Sequence, residues 1–97
     1  MPWIWDPAKN RANKLKHRLS FETAQLVFDD PLAASRIDAG HYEEERWQTV
    51  GAIGDVVVHV VHTAPDDTEN SAEQTGRIVS ARKATPRERK AYEEGQF

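Results

Sequence analysis

Four side chains in this sequence have the chemistry for proton transfer and charge stabilisation: Arg46, Arg82, His59 and His62. Arginine grips two oxygens of a phosphate with one planar fork and stays charged at any working pH. Imidazole is the side chain poised nearest to neutrality, so a histidine beside such cations can move a proton to or from a hydroxyl. The chain contains no cysteine, which removes disulfides, thiolate nucleophiles and thiolate metal sites. Cations and imidazole can together move protons and offset charge that builds on an oxygen.

Further residues could extend such a site. Arg77, Lys83 and Arg89 could hold flanking phosphates, and Tyr92 could stack on a base or donate from its hydroxyl, since single strands are bound by cations and aromatic faces. Plainer readings stand beside these. Arg87, Arg89 and Lys90 also fit a solvated helix face with Glu88, Glu93 and Glu94 nearby, and Tyr92 also fits a residue that docks the last helix. An arginine near a strand end can pair with a neighbour such as Glu45, and a histidine in a Val-rich strand is commonly a hydrogen-bonded structural residue. Lys16 and His17 are explained by the carbonyl end of a helix. His17, His41, His59 and His62 have no ligand-type spacing, so no metal or other cofactor is expected.

The formal charge of −3 hides a pattern. Residues 1–28 carry five cations against two anions, residues 29–75 two against eleven, and residues 76–97 six against three. Basic ends around an acidic middle can focus a field on one surface although the sum disfavours a polyanion. A chain of 97 residues gives a single domain, taken as 1–97, with one modest core. No run of ~18 apolar residues offers a membrane span, and the N-terminus does not read as a signal peptide, so a cytoplasmic protein is expected.

The elements that would position these residues follow from periodicity. "WIWDP" reads as a short strand ending at Asp6, which caps a helix with Pro7 in its first turn. Ala8, Ala12 and Leu15 form a narrow apolar stripe on that helix. Ser20 caps a second helix with Phe21, Ala24, Val27 and Phe28 on one face, ended by "DDP". "RWQTVGAI" and "VVVHVVHT" flank Gly54-Asp55, the signal for a two-residue II′ hairpin. That turn sets Ile53 against Val56, Gly51 against Val58, Thr49 against Val60 and Trp47 against His62 on the more apolar face. Arg46, Gln48 and His59 then lie on the other. Ala64 to Gly76 reads as an exposed, mobile acidic loop. "RIVSAR" resumes a strand, and Thr85-Pro86-Arg87-Glu88 is a capping box that opens a final helix. Trp3, Trp5 and Trp47 read as core. The order predicts an α+β two-layer fold: a short N-terminal strand, two helices, a three-stranded antiparallel meander and a C-terminal helix, with one sheet face partly open.

The segments "WDPAKNRANKLKH", "SFETAQLVFDDP", "ERWQTVG" and "GRIVSARKATPRERKAYEE" together resemble BrnT-type toxins, the RelE-like ribonuclease half of a type II toxin–antitoxin pair. The resemblance covers nearly the whole chain, and its most specific part is the last segment. It implies a RelE-like fold and a metal-independent endoribonuclease that cleaves RNA by 2′-OH attack and inhibits translation. It also implies neutralisation by a ribbon-helix-helix antitoxin in a 2:2 complex that contacts operator DNA only through the antitoxin. Arg46 and Arg82 match cations of the family pattern, and the "HT" position favours His62 where the hairpin register favours His59. Such folds can also work with Arg and Lys as the only polar groups. Two departures stand out: Arg18 replaces the Gly that commonly follows "KH", and the loop from Ala64 is longer. A competing expectation is a non-catalytic nucleic-acid- or partner-binding module, a degenerate toxin.

Overall fold

The computed structural model describes residues 3–40, 44–63 and 76–97. The acidic loop expected from Ala64 onward and His41 fall outside them, apart from Gly76. Three helices, a 3-10 turn and a four-stranded antiparallel sheet make an α+β fold. Helix α1 spans Pro7–His17, α2 Phe21–Ala24 continuing as the 3-10 turn Gln25–Asp29, and α3 Pro86–Glu93. The strands are β1 Ala34–Asp38, β2 Arg46–Ile53, β3 Val56–Thr63 and β4 Ile78–Lys83, side by side in chain order.

The helix starts are where the capping signals put them. Asp6 accepts from Ala8 N at 2.8 Å, Ser20 from Thr23 N at 3.1 Å, and Thr85 from Glu88 N at 3.2 Å with the reciprocal Glu88 bond present. The hairpin register is also the expected one, from Ile53↔Val56 to Arg46↔Thr63. On its apolar face Val58 and Val60 join Ile78 and Ala81 of β4 and pack against Phe21, Ala24 and Val27. Gly51 lets the 3-10 turn lie directly on β2, since a Cβ there would come within 2.8 Å of the Val27 carbonyl oxygen.

Three expectations need correction. The N-terminal "strand" is a single parallel bridge, Ile4 to Arg77, made by Ile4 N to the Gly76 carbonyl at 3.0 Å and Ile78 N to the Ile4 carbonyl at 2.9 Å. The meander has four strands: "ASRID", too short and polar to show an apolar alternation, pairs along β2 as β1. The apolar stripe of α1 is not a docking face either: Ala8 and Ala12 are exposed and Leu15 is 86% exposed. The second sheet face is partly open, as expected: α3 and Phe97 cover its His59 end, while Arg36 is exposed and Arg46, Val61 and Ser80 are half-buried.

Asparagines, not apolar residues, fix α1. Asn10 accepts from Phe21 N at 2.8 Å and donates to Glu22 at 2.7 Å. Asn13 is buried; its amide nitrogen donates to the Leu19 and Ala81 carbonyls, both at 2.8 Å, and its oxygen accepts from Ala81 N at 3.2 Å. The carboxamide therefore stands in for a neighbouring strand at the outer edge of β4, satisfying groups that would otherwise be open to pairing with another chain.

Arg18 ends α1 in the left-handed region, φ 57°, ψ 32°, its N–H returning to the Lys14 carbonyl at 2.9 Å. It is the only non-glycine with positive φ among the described residues. The position where the resemblance leads to an expectation of Gly is thus one whose conformation Gly adopts without cost.

Two outcomes follow for thermal or urea unfolding. Arg18→Gly should stabilise by about 0.5–1 kcal/mol, the left-handed strain removed less the entropy Gly adds to the unfolded chain. Asn13→Ala should destabilise by about 2 kcal/mol or more, because buried strand groups lose their partner.

Candidate active site

Alternation along the strands gathers polar residues on the sheet face away from α1 and α2. Arg36 of β1, Arg46 and Gln48 of β2, His59 of β3 and Arg82 of β4 all point there, since residues directly opposite in an antiparallel pair share a face. His59 and Arg82 are direct neighbours in register. Capped by Thr85, α3 starts just after β4 and crosses this face, bringing Glu88 onto the pair.

Arg82 presents its fork to Glu88, Nη1 to Oε1 at 2.7 Å and Nη2 to Oε2 at 3.0 Å, and the same carboxylate accepts from Thr85 N at 2.9 Å. His59 Nε2 lies 3.7 Å from Glu88 Oε2 and 3.3 Å from Gln48 Oε1. Arg36 Nε donates to the same Gln48 oxygen at 3.1 Å. Arginine can only donate, which fixes the Gln48 amide orientation. His59 Nε2 then carries the proton and leaves Nδ1 as the lone-pair nitrogen. The Arg36 guanidinium sits 4.1 Å from the Phe97 ring centroid, and His59 meets that ring edge-on at 6.3 Å, so the imidazole is only 4% exposed.

The electrostatics follow from these contacts. The Arg82 bonds hold the Glu88 carboxyl at about 2, far below its ordinary 4.5, and Glu88 in turn raises Arg82. Burial, then the Arg82 charge, pushes His59 below its ordinary 6.5, with Glu88 opposing. The imidazole is thus neutral at pH 7.

The other sequence candidates are dispersed. Arg46 shares the face but lies two strands across and four residues along from Arg82, a backbone separation of roughly 16 Å from strand spacing and rise. His62 faces the helices. It is buried edge-on against Trp3 and Phe28, both at 5.0 Å, with Nδ1 donating to the Thr63 carbonyl at 2.9 Å and Nε2 accepting from Thr49 at 2.6 Å. Both nitrogens are thus used within the fold. Arg77 pairs with Glu44 at the Arg46 end of the sheet, its backbone N–H on Thr63 Oγ1 at 2.9 Å. Lys83 is exposed at the end of β4, in register with Val58 and so turned from Arg82. Arg89 is exposed on α3.

The Tyr92 hydroxyl donates to Asp30, which also accepts from Ala52 N at 2.8 Å and Leu32 N at 2.9 Å. Those bonds, Ala52 first, hold the Asp30 carboxyl below its ordinary value and pin α3 to the exit of the 3-10 turn. Of the tryptophans, Trp3 and Trp5 pack on the core, while Trp47 is half-buried with its indole N–H on Glu45 at 3.2 Å.

Sequence reasoning missed Arg36, Glu88 and Phe97 as members of the cluster. Glu88 carried a signal, the capping box, which accounted for one bond of its carboxylate and concealed the others. Arg36 lay in the unread strand, and nothing marked Phe97. A hollow bounded by Trp3, Gln25, Leu26, Phe28 and Asp29 lies on the helix side, away from this cluster. Among the described residues no three His, Asp or Glu side chains converge as metal ligands, and no helix is long and apolar enough to cross a membrane.

The shifts make stability depend on pH in two steps. His59 and His62 both titrate below 6.5 in the fold, so the unfolded chain binds protons first and melting temperature should fall as pH drops below about 6.5. Glu88 adds a second loss, from its ordinary 4.5 down to about 2. Melting curves across this range should show both, and Glu88→Gln should shrink the second, to which Asp30 also contributes, without diminishing the first, since Glu88 opposes the His59 shift.

No curated protein sequence matches the chain. A family model described as "Ribonuclease toxin, BrnT, of type II toxin-antitoxin system" matches residues 5–88 of the 97, from Trp5 ahead of α1 to the Glu88 that holds Arg82. The match spans every element of the fold except the rest of α3, and on it the chain belongs to the BrnT family of ribonuclease toxins of type II toxin–antitoxin systems.

Proposed function

We propose that this chain is a metal-independent endoribonuclease that inhibits translation by cleaving RNA on the sheet face carrying Arg82, His59 and Arg46. The observation that supports this most is the direct pairing of Arg82 with a neutral, buried imidazole on neighbouring strands. In this reading His59 takes the proton of the 2′-OH as that oxygen attacks phosphorus. The bond to the 5′-oxygen breaks with a 2′,3′-cyclic phosphate left behind, and the 5′-oxygen takes a proton from solvent water. Arg82 and Arg36 offset the charge on the phosphorane, and Arg46, at the far end of the face, positions the strand. Arg77 at the Arg46 end and Arg89 on α3 follow the strand on either side, and Lys83 and Tyr92 serve at the rim where they contact RNA at all. His62 holds the core beneath the site.

Glu88 is the competitor that RNA must meet. Its carboxylate occupies the fork that a phosphate would use, so phosphate binding requires the pair to open or to share. That same occupancy favours a second reading, a partner-binding module without turnover. By family membership the partner is an antitoxin; we take it to be a ribbon-helix-helix protein, in a 2:2 complex that reaches operator DNA through the antitoxin. The compartment that goes with this reading is the cytoplasm.

Purified protein should cut single-stranded RNA in the presence of chelator, and its expression without the antitoxin should arrest growth. Arg82→Ala should lower the cleavage rate by about 100-fold or more, as loss of a charge-stabilising donor does, and His59→Ala by a similar factor, in variants whose melting shows them folded. Arg46→Ala should lower it less if Arg46 only positions the strand. Cleavage that stays within two-fold of wild type in both Arg82→Ala and His59→Ala would remove this site from the reaction. Binding of RNA or antitoxin with no new RNA ends would establish the second reading.

A further inference from the structure

The two edges of the sheet are treated differently. A two-residue turn makes Ile53↔Val56 a hydrogen-bonded pair, so Thr49, Gly51 and Trp47 bond toward β3, and Arg46, Gln48 and Val50 bond toward β1. Across β1 the bonded partners are then Asp38, Arg36 and Ala34, and the N–H and C=O groups of Ser35 and Ile37 point out of the sheet. At the other edge the equivalent outward groups of Ala81 are taken by Asn13. Among the described residues nothing is bonded to those of Ser35 and Ile37. The edge has no proline and no bulge, and Ile37 is 55% exposed. This is the arrangement that accepts another strand.

We infer that the strand it accepts is β1 of a second copy of this chain, antiparallel, with Ile37 opposite Ile37 on the two-fold axis. Charge selects both the occupant and the register. Outward-bonding residues must face outward-bonding residues, which leaves few alignments. Placing Ser35 opposite Ile37 sets Arg36 against Arg36; placing Ile37 opposite Ala39 sets Asp38 against Asp38. Like charges directly opposite are unfavourable. Centring on Ile37 instead sets Arg36 against Asp38 twice, in the closer non-hydrogen-bonded pairs, and places the two exposed Ile37 side chains together on the other face. Ser35 then exchanges bonds with Ala39. The interface is isologous and closes at two copies, joining two four-stranded sheets into one of eight. It adds Arg36, a member of the Arg82 and His59 cluster, to the contact between copies. The inference does not depend on cleavage, and its test reads assembly alone.

Sedimentation of the purified full chain should show the 11.0 kDa species giving way to one of about twice that mass as concentration rises from about 10 μM to 1 mM, the range for a contact of this small size. Ile37→Lys should abolish the shift. Arg36→Asp and Asp38→Arg should each remain monomeric alone, form a heterodimer when mixed, and dimerise again when combined in one chain. This charge exchange keeps the test decisive should Ile37→Lys fold poorly. A wild type that stays monomeric throughout would overturn the inference. So would a dimer indifferent to all of these changes, or amides of Ser35 and Ile37 that are protected from exchange only by a different protein.

Discussion

The two-residue turn at Gly54-Asp55 decides which side of this molecule does what. Gly54 sits at φ 62°, a conformation that favours glycine, and closes β2 and β3 with no residue to spare. A slip of one residue would exchange the faces, putting His59 into the core and His62 among the arginines. The same alternation decides which backbone groups turn outward at each edge, and hence why Asn13 is needed beside β4. The apolar face is then closed by Val27, lying so near Gly51 that no side chain fits between them.

Much of this could be read in the sequence, and what could not has physical causes. The hairpin, its register and the three helix starts depend on local signals: a turn that requires glycine, Asp and Ser caps, and a Pro-containing capping box. They survive folding because nothing tertiary competes with them. β1 was unreadable because its polar residues are solvated or join the cluster, leaving no apolar alternation to detect. The docking of α1 was misread for a related reason: periodicity counts apolar area, whereas α1 is held by two carboxamides that satisfy backbone groups of α2 and β4. His59 was placed on its face by register, but its neighbours Glu88 and Phe97 come from 29 and 38 residues further along, a proximity that depends on the path of α3.

Glu88 couples the last helix to the cation cluster. One carboxylate closes the capping box at Thr85, grips both terminal nitrogens of Arg82 and lies beside His59. An anion that claims Arg82 therefore competes with the N-terminal cap of α3 as well as with a side chain. The helix is otherwise lightly held. It buries no residue completely, and its other anchor is the Tyr92 bond to Asp30. Cation availability and the position of α3 are thus one equilibrium rather than two.

The cluster also reaches the open edge. Gln48 accepts from Arg36 and His59 with one oxygen, so a side chain of the edge strand and the imidazole of an inner strand share a single acceptor. Phe97 lies against both of them. Any strand that paired with β1 would restrict Arg36, and through Gln48 and Phe97 that restriction would reach His59 with no further contact. Occupation of the sheet edge would thus be felt at the imidazole proposed to act in cleavage. Here the path from the sheet edge to the imidazole is two side chains long.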